Sequence, residues 1–186
     1  MELIGIVFFI ISSFFSNEIQ HIATEKTMVT IDPNNKTIEV FQQNLFTVFE
    51  KPSDSIAILN ELSLLGKNEV LWSEKLSEFP EKTFKLIHDK KNDQLHLQIS
   101  LKFKDNVDLK AFAFDMFQEK YFSIVNIPYW NLSSEDGKLN NNYWQFPLDQ
   151  SFTFTLNPFK KMPKAFQEQK QNLLPLWKQT KKLKKN

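Results

Sequence analysis

The chain contains no cysteine, no arginine and only three glycines, Gly5, Gly66 and Gly137. Each shortage removes a class of chemistry. Without cysteine there are no disulfides, no thiolate metal sites, no thiol nucleophile and no lipid-modified N-terminal Cys, although cysteine-free chains occur on both sides of a membrane. Without arginine the chain lacks the planar fork that reads phosphate and guanine best, and a net charge of +1 supplies no field for a polyanion. Nucleic acid is not an expected partner. A nucleophile elbow of GxSxG type, a phosphate-cradling P-loop and a dinucleotide fingerprint all need more glycine than this chain has.

A chain of 186 residues suffices for one domain with a single core and is short for two. Its clearest pattern is Gln94 to Phe103, where Leu95, Leu97, Ile99, Leu101 and Phe103 alternate with Gln94, His96, Gln98, Ser100 and Lys102. That is a half-buried β-strand. Phe84 to Asp89 forms a hairpin with it through Lys90 to Asp93. Ile87 would share the polar face, so the C-terminal helix is a candidate roof over it.

Val29 and Ile31 alternate with polar residues, as do Ile38 and Val40, and Asp32-Pro33-Asn34-Asn35 between them is a type I turn. Pro33 to Lys36 as the loop sets Ile31 opposite Ile38 and Val29 opposite Val40. A second turn at Gln42 to Asn44 then returns Leu45 to Phe49 as a third strand. Pro52, Ser53 and Asp54, followed by Ile56, Leu59, Leu62, Leu65 and Gly66, read as a capped amphipathic helix with a glycine stop. Asn106 to Gln118 fits helix somewhat better than strand. Strands are expected over Tyr121 to Ile127, Asn142 to Phe146 and Ser151 to Leu156. Pro163 opens a helix with Ala165 and Phe166 inward, and Pro175 divides it from a second piece carrying Leu176 and Trp177. The whole is α+β: a mainly antiparallel, meander-like sheet of about six to eight strands with two or three helices packed largely on one face.

Leu3 to Phe15 is apolar apart from two serines and has the length of a signal-peptide core, short of the ~20 residues that span a bilayer. It departs from a signal peptide in carrying Glu2 and no Lys before the run, and in offering only Ser13, Ser16 and Ala23 as cleavage-site residues. An uncleaved anchor and a buried first strand are the alternatives. The resulting division is a leader or hydrophobic segment over residues 1–20, a domain over 24–178 and a Lys-rich tail over 179–186. The tail, following Trp177, offers an anionic membrane or acidic partner a basic surface.

His88 and His96 flank the hairpin turn, but the register that unites Phe84 and Leu86 with Leu95, Leu97 and Ile99 sends them to opposite faces. No metal is expected there and no cofactor elsewhere; His88 should be half-buried and His96 solvated. The most distinctive stretch is Tyr129 to Phe146, which gathers Tyr129, Trp130, Asn131, Asp136, Asn142, Tyr143 and Trp144. Ring faces stack on apolar sugar faces or similar surfaces while amides and carboxylates take hydroxyls. The same residues also suit a long hairpin with Ser133 to Gly137 at its tip and aromatic pairs bracing its strands. The functional expectation is an exported, non-enzymatic domain that binds a ligand or protein partner through this stretch. Its alternatives are a small extracytoplasmic hydrolase using carboxylates and a peripheral envelope protein anchored at its N-terminus.

Overall fold

The structure is a computed structural model that describes residues 14–16, 19–48, 54–118, 120–161 and 163–183. Strand β1 (Ala23–Asp32) turns back into β2 (Thr37–Val48), with Ile31 opposite Ile38 and Val29 opposite Val40 as the alternation requires. Asp32 makes the turn: its Oδ1 accepts from the backbone N–H of Asn34 at 3.0 Å and of Asn35 at 2.9 Å, and Lys36 closes the loop at φ 55°. Strands β3 (Glu81–Asp89) and β4 (Gln94–Lys102) repeat the device, with Asp89 accepting from Lys91 N at 2.9 Å and Asp93 at φ 54°. A short carboxylate that bonds two residues onward is what this turn needs from its first residue.

The strands pair throughout as antiparallel neighbours. With β9 (Phe152–Leu156), the large sheet runs in the order β3-β4-β2-β1-β9, and the short β10 (Lys170–Asn172) adds to the end of β2. A second sheet holds β5 (Asp115–Phe117), β6 (Tyr121–Val125), β7 (Lys138–Asn140) and β8 (Tyr143–Phe146) in the order β5-β6-β8-β7. The fold is thus α+β and antiparallel, its strands divided between two sheets. Leu97, Ile99, Val40, Ile38 and Val29 form the buried face of the large sheet.

Helix α1 (Asp54–Lys67) and helix α3 (Leu174–Leu183) lie together over that face. The short α2 (Lys164–Glu168) precedes β10. Trp177 of α3 meets His88 edge-on at 6.0 Å, and His88 lies on the core side of β3 opposite Leu95. The C-terminal helix therefore does not roof the polar face of β4, where Gln98 and Lys102 are exposed and Ile87 is half-buried beside His96. The basic segment after Trp177 continues this helix through Leu183, with the Lys181 ammonium 3.6 Å from the Trp177 ring centroid; residues 184–186 lie outside the described residues.

The end of the apolar N-terminal run belongs to the core. Phe14, Phe15, Ile19 and Ile22 are each buried, and Phe15 sits 5.0 Å from Phe84 and 5.3 Å from Trp72, centroid to centroid. The backbone fixes them there, since Ser16 N donates to Leu71 O at 2.8 Å and Ser73 N to Phe14 O at 3.0 Å. Downstream, the buried Glu61 carboxylate of α1 accepts from His21 N at 3.0 Å and lies 2.5 Å from His21 Nδ1. Residues 1–13, which carry most of the run, lie outside the described residues, as do Pro52 and Ser53 of the expected helix cap.

Several local expectations are corrected. No turn interrupts Gln42 to Asn44; β2 runs straight through, with Asn44 at φ 54° inside the strand, so the expected third strand is the second half of β2. Helix α1 buries Ile58, Glu61, Leu62 and Leu65, while Ile56 is 66% exposed, because spacing of four and three holds one face better than spacing of three alone. Gly66 is inside the helix, and Asn68 takes the left-handed position after it. Asn106 to Gln118 is neither one helix nor one strand but the 3-10 helix Asn106–Phe112 followed by β5. Ala165 is exposed rather than inward.

Candidate functional site

Beside Trp130 the two sheets leave a pocket of about 190 Å³. Its floor comes from β1 and β9, where Thr27 pairs with Leu156 and Val29 with Phe154, so all four side chains share one face. Ile124 of β6 and Phe14 add apolar wall. Pro128, which starts the 3-10 turn Pro128–Trp130, swings Trp130 over this floor, and Asn157 N fixes the turn by donating to Trp130 O at 2.9 Å.

The opposite wall is Ala111, Phe112 and Ala113, at the end of Asn106–Phe112. Asp105 caps that segment, accepting from Val107 N at 3.1 Å while Asp108 Oδ2 accepts from Asp105 N at 3.1 Å. The segment ends with Ala113 at φ 61°, a left-handed conformation that costs a Cβ-bearing residue about 1–3 kcal/mol and is found where surrounding structure imposes it. Lys75 and Lys110, both exposed, stand at the rim.

One floor residue is out of character. Thr27 is 1% exposed, and its Oγ1 has no hydrogen-bond partner among the described residues. Its cross-strand neighbour Gln42 is fully buried, with neither amide atom partnered. Buried polar atoms are paired in roughly nine cases of ten or more, so Thr27 Oγ1 and the Gln42 amide, both closed off from solvent, form a polar spot within the core beneath the pocket.

Of the residues the sequence singles out, only Trp130 lines this pocket. Tyr129 and Tyr143 are exposed, and Asn131 occupies a left-handed position at φ 47°. Trp144 Nε1 donates to Asn126 Oδ1 at 3.3 Å, and its ring stacks on Phe146. Asn142 turns β7 into β8, its carbonyl accepting from Asn126 N at 2.8 Å. Asp136 Oδ2 accepts from Thr153 N at 2.7 Å. The hairpin tip is therefore Asn141-Asn142, not Ser133 to Gly137; Ser133 instead exchanges backbone hydrogen bonds with Thr155 at 2.8 and 2.9 Å. Sequence reasoning missed Thr27, although a threonine where Val29 and Ile31 continue the apolar register was a visible signal.

A second, polar cleft of about 400 Å³ borders His96. Contrary to expectation His96 is buried, packed edge-on against Phe41 at 5.3 Å. Asn44 N donates to its Nδ1 at 2.9 Å, so the ring proton is on Nε2, 3.7 Å from Asp89 Oδ2. The Asn92 amide, followed by the backbone N–H groups of the turn, holds the Asp89 carboxyl below its ordinary pKa against the opposing effect of burial. Glu25 contacts both Lys170 and the Asn44 amide, and burial lowers the Lys170 pKa despite that carboxylate. These groups satisfy one another. Among the described residues no set of three or more His, Asp and Glu is placed to hold a metal. No helix of the described residues is long and apolar enough to cross a membrane.

No family model matches the chain, and neither a curated protein nor a solved structure does.

Proposed function

We propose that the chain is a non-enzymatic binding domain whose site is the pocket beside Trp130, shaped for a compact, largely apolar small molecule. The observation that carries the reading is the pocket itself, whose floor and walls are the apolar side chains of Val29, Leu156, Phe154, Phe14, Phe112 and Trp130. A cavity of order 150 Å³ lined by aliphatic and aromatic side chains accepts benzene, so this one suits a single ring or a short chain. The test is a thermal-shift and tryptophan-fluorescence titration of the full chain with phenol and hexanol. Stabilisation by either, lost in a folded Trp130→Ala variant, is the expected result. No response from the parent, or an undiminished response in the variant, overturns the reading.

The acidic residues nearest the aromatic stretch favour binding over hydrolysis. Asp136 is engaged by Thr153 N, and Glu135 sits beside it on a shallow recess away from the pocket. Extracytoplasmic placement belongs to the same proposal, supported by the apolar composition of Leu3 to Phe15. A second reading, a domain tethered to a membrane by an uncleaved N-terminal segment, draws support from the burial of Phe14 and Phe15. Intact mass from soluble and membrane fractions distinguishes them: a full-length membrane-bound species supports the tether, and a soluble species lacking the run opposes it.

A further inference from the structure

We infer that the cleft between α1, α3 and the edge strand β3 is a second binding site, one that takes a small monocarboxylate with a short apolar body. It is separate from the pocket beside Trp130, since no residue lines both.

The cleft has a volume of about 270 Å³, and Leu62, Leu65, Phe84, Leu86 and Trp177 supply its apolar lining. Trp177 is 8% exposed, and its Nε1–H donates to no group among the described residues. A buried indole N–H ordinarily finds an acceptor. This one is not sealed in as Thr27 Oγ1 is, because it borders open space left by Gly66. Apart from the backbone of α1, a Cβ at Gly66 would have Trp177 Nε1, at 3.8 Å, as its one neighbour within 4 Å among the described residues, and both residues line the cleft. Charge is the second observation. The Lys181 ammonium rests 3.6 Å from the centroid of the same ring, and neither it nor Lys85, the other cation of the lining, has a carboxylate partner among the described residues. No Asp or Glu lines the cleft; on the flanking segments Glu61 is held by His21, Glu69 by Lys67 and Asp93 by Lys178. The last-turn carbonyls of Leu64 and Leu65 accept from Glu69 N at 3.1 Å and Asn68 N at 3.3 Å, so the negative end of α1 is capped. An unused donor at the ring edge and a cation on the ring face, with no opposing carboxylate, are what a single carboxylate group requires. One buried N–H without an arginine fork equips the cleft poorly for a phosphate dianion, and its leucines favour an alkyl body.

The experiment follows the indole N–H resonance of Trp177 in the isotope-labelled full chain, titrated with butyrate, butanol and phosphate at constant ionic strength. The resonance is identified by its loss in Trp177→Phe or, should that variant not fold, by elimination through Trp72→Phe, Trp130→Phe and Trp144→Phe. Butyrate should move it downfield to saturation, and butanol should not. Lys181→Gln should weaken butyrate about two- to fivefold and make the remaining affinity less sensitive to salt, as expected for an exposed charge pair. Gly66→Ala puts a methyl into the open space at ordinary contact distance from Nε1, and alanine suits a helix interior better than glycine. That variant should melt no lower than the parent yet bind butyrate about three- to tenfold more weakly, the span of one neutral hydrogen bond. Weaker binding in a protein no less stable separates a ligand contact from structural damage. Equal movement with butanol overturns the anion assignment, and a stronger response to phosphate overturns the choice of carboxylate. An unchanged butyrate affinity in Gly66→Ala overturns the placement at Nε1, and one unchanged in Lys181→Gln overturns the role of that lysine. No saturable movement with any of the three probes overturns the site as a whole and leaves the pocket beside Trp130 to its own test.

Discussion

Replacing Phe15 with alanine should destabilise the domain by about 3–5 kcal/mol, the range for removing a buried phenylalanine and leaving a cavity. The upper part of that range applies because the site cannot collapse. Phe15 is 1% exposed, its backbone neighbours are tied to Leu71 and Ser73, and its ring meets both Phe84 and Trp72. Aromatic pairs of this kind contribute about 0.5–1.5 kcal/mol beyond their buried area. Against a total stability of about 5–15 kcal/mol, the loss is large enough to leave some molecules unfolded at ordinary temperature. Urea unfolding followed by tryptophan fluorescence measures it; at about 2–3 kcal/mol per molar urea, the midpoint should fall by roughly 1–2.5 M. Ile56→Ala, at a position 66% exposed, is the control and should move the stability by no more than about 0.5 kcal/mol. A Phe15→Ala cost below about 1 kcal/mol would refute the seating of this segment in the core. So would a stably folded chain beginning at residue 24, which lacks Phe14, Phe15, Ile19 and Ile22 together.

Gly137→Ala should cost about 1–3 kcal/mol by overpacking, because a Cβ there would stand 2.5 Å from Phe146 Cε1, and that ring is backed by Phe152 at 4.5 Å between centroids. An unchanged urea midpoint would show that Phe146 yields freely. Asp89→Ala should be less stable than the parent at neutral pH. The native carboxyl titrates below its ordinary value of 3.8, so its contribution is complete above that value and disappears as pH falls through the lowered native one. Parent and variant should converge in acid denaturation curves; a difference that persists to strongly acidic pH would assign it to lost packing instead.

Where backbone chemistry and alternation agree, the fold was legible. Asp32 and Asp89 announce turns that their side chains close, and the registers of β1 with β2 and of β3 with β4 follow from matching apolar faces. The misreadings occurred where two local signals compete. Gln42 to Asn44 has turn composition, yet tertiary partners keep it extended: Asn44 N is held by His96 and its amide by Glu25. Ser133 to Gly137 is a stronger turn signal than Asn141-Asn142. It nevertheless crosses to the large sheet, where Ser134 Oγ donates to Thr153 O at 2.5 Å. The pocket was illegible for a different reason, since Phe14, Thr27, Phe112, Trp130 and Phe154 come from segments far apart in sequence and only topology assembles them. Trp130 was recognisable as a chemical type, but its assumed companions Tyr143 and Trp144 lie on β8, where Trp144 pairs with the wall residue Ile124 without itself lining the pocket.

The N-terminal run and the pocket are physically one problem. Phe14, next to last in that run, is a wall of the pocket, while Phe15, its last residue, fills the core behind it. Cleavage anywhere from Ser16 to Ala23 would remove that wall and break the backbone bonds to Leu71 and Ser73. Cleavage beyond His21 would also leave the Glu61 carboxylate buried without its two donors, a costlier state than never having buried it. A processed chain that still binds through this pocket must therefore keep Phe14. Ligand binding through this pocket by a processed chain would report a cut upstream of Phe14, and loss of binding on processing would report a cut beyond it.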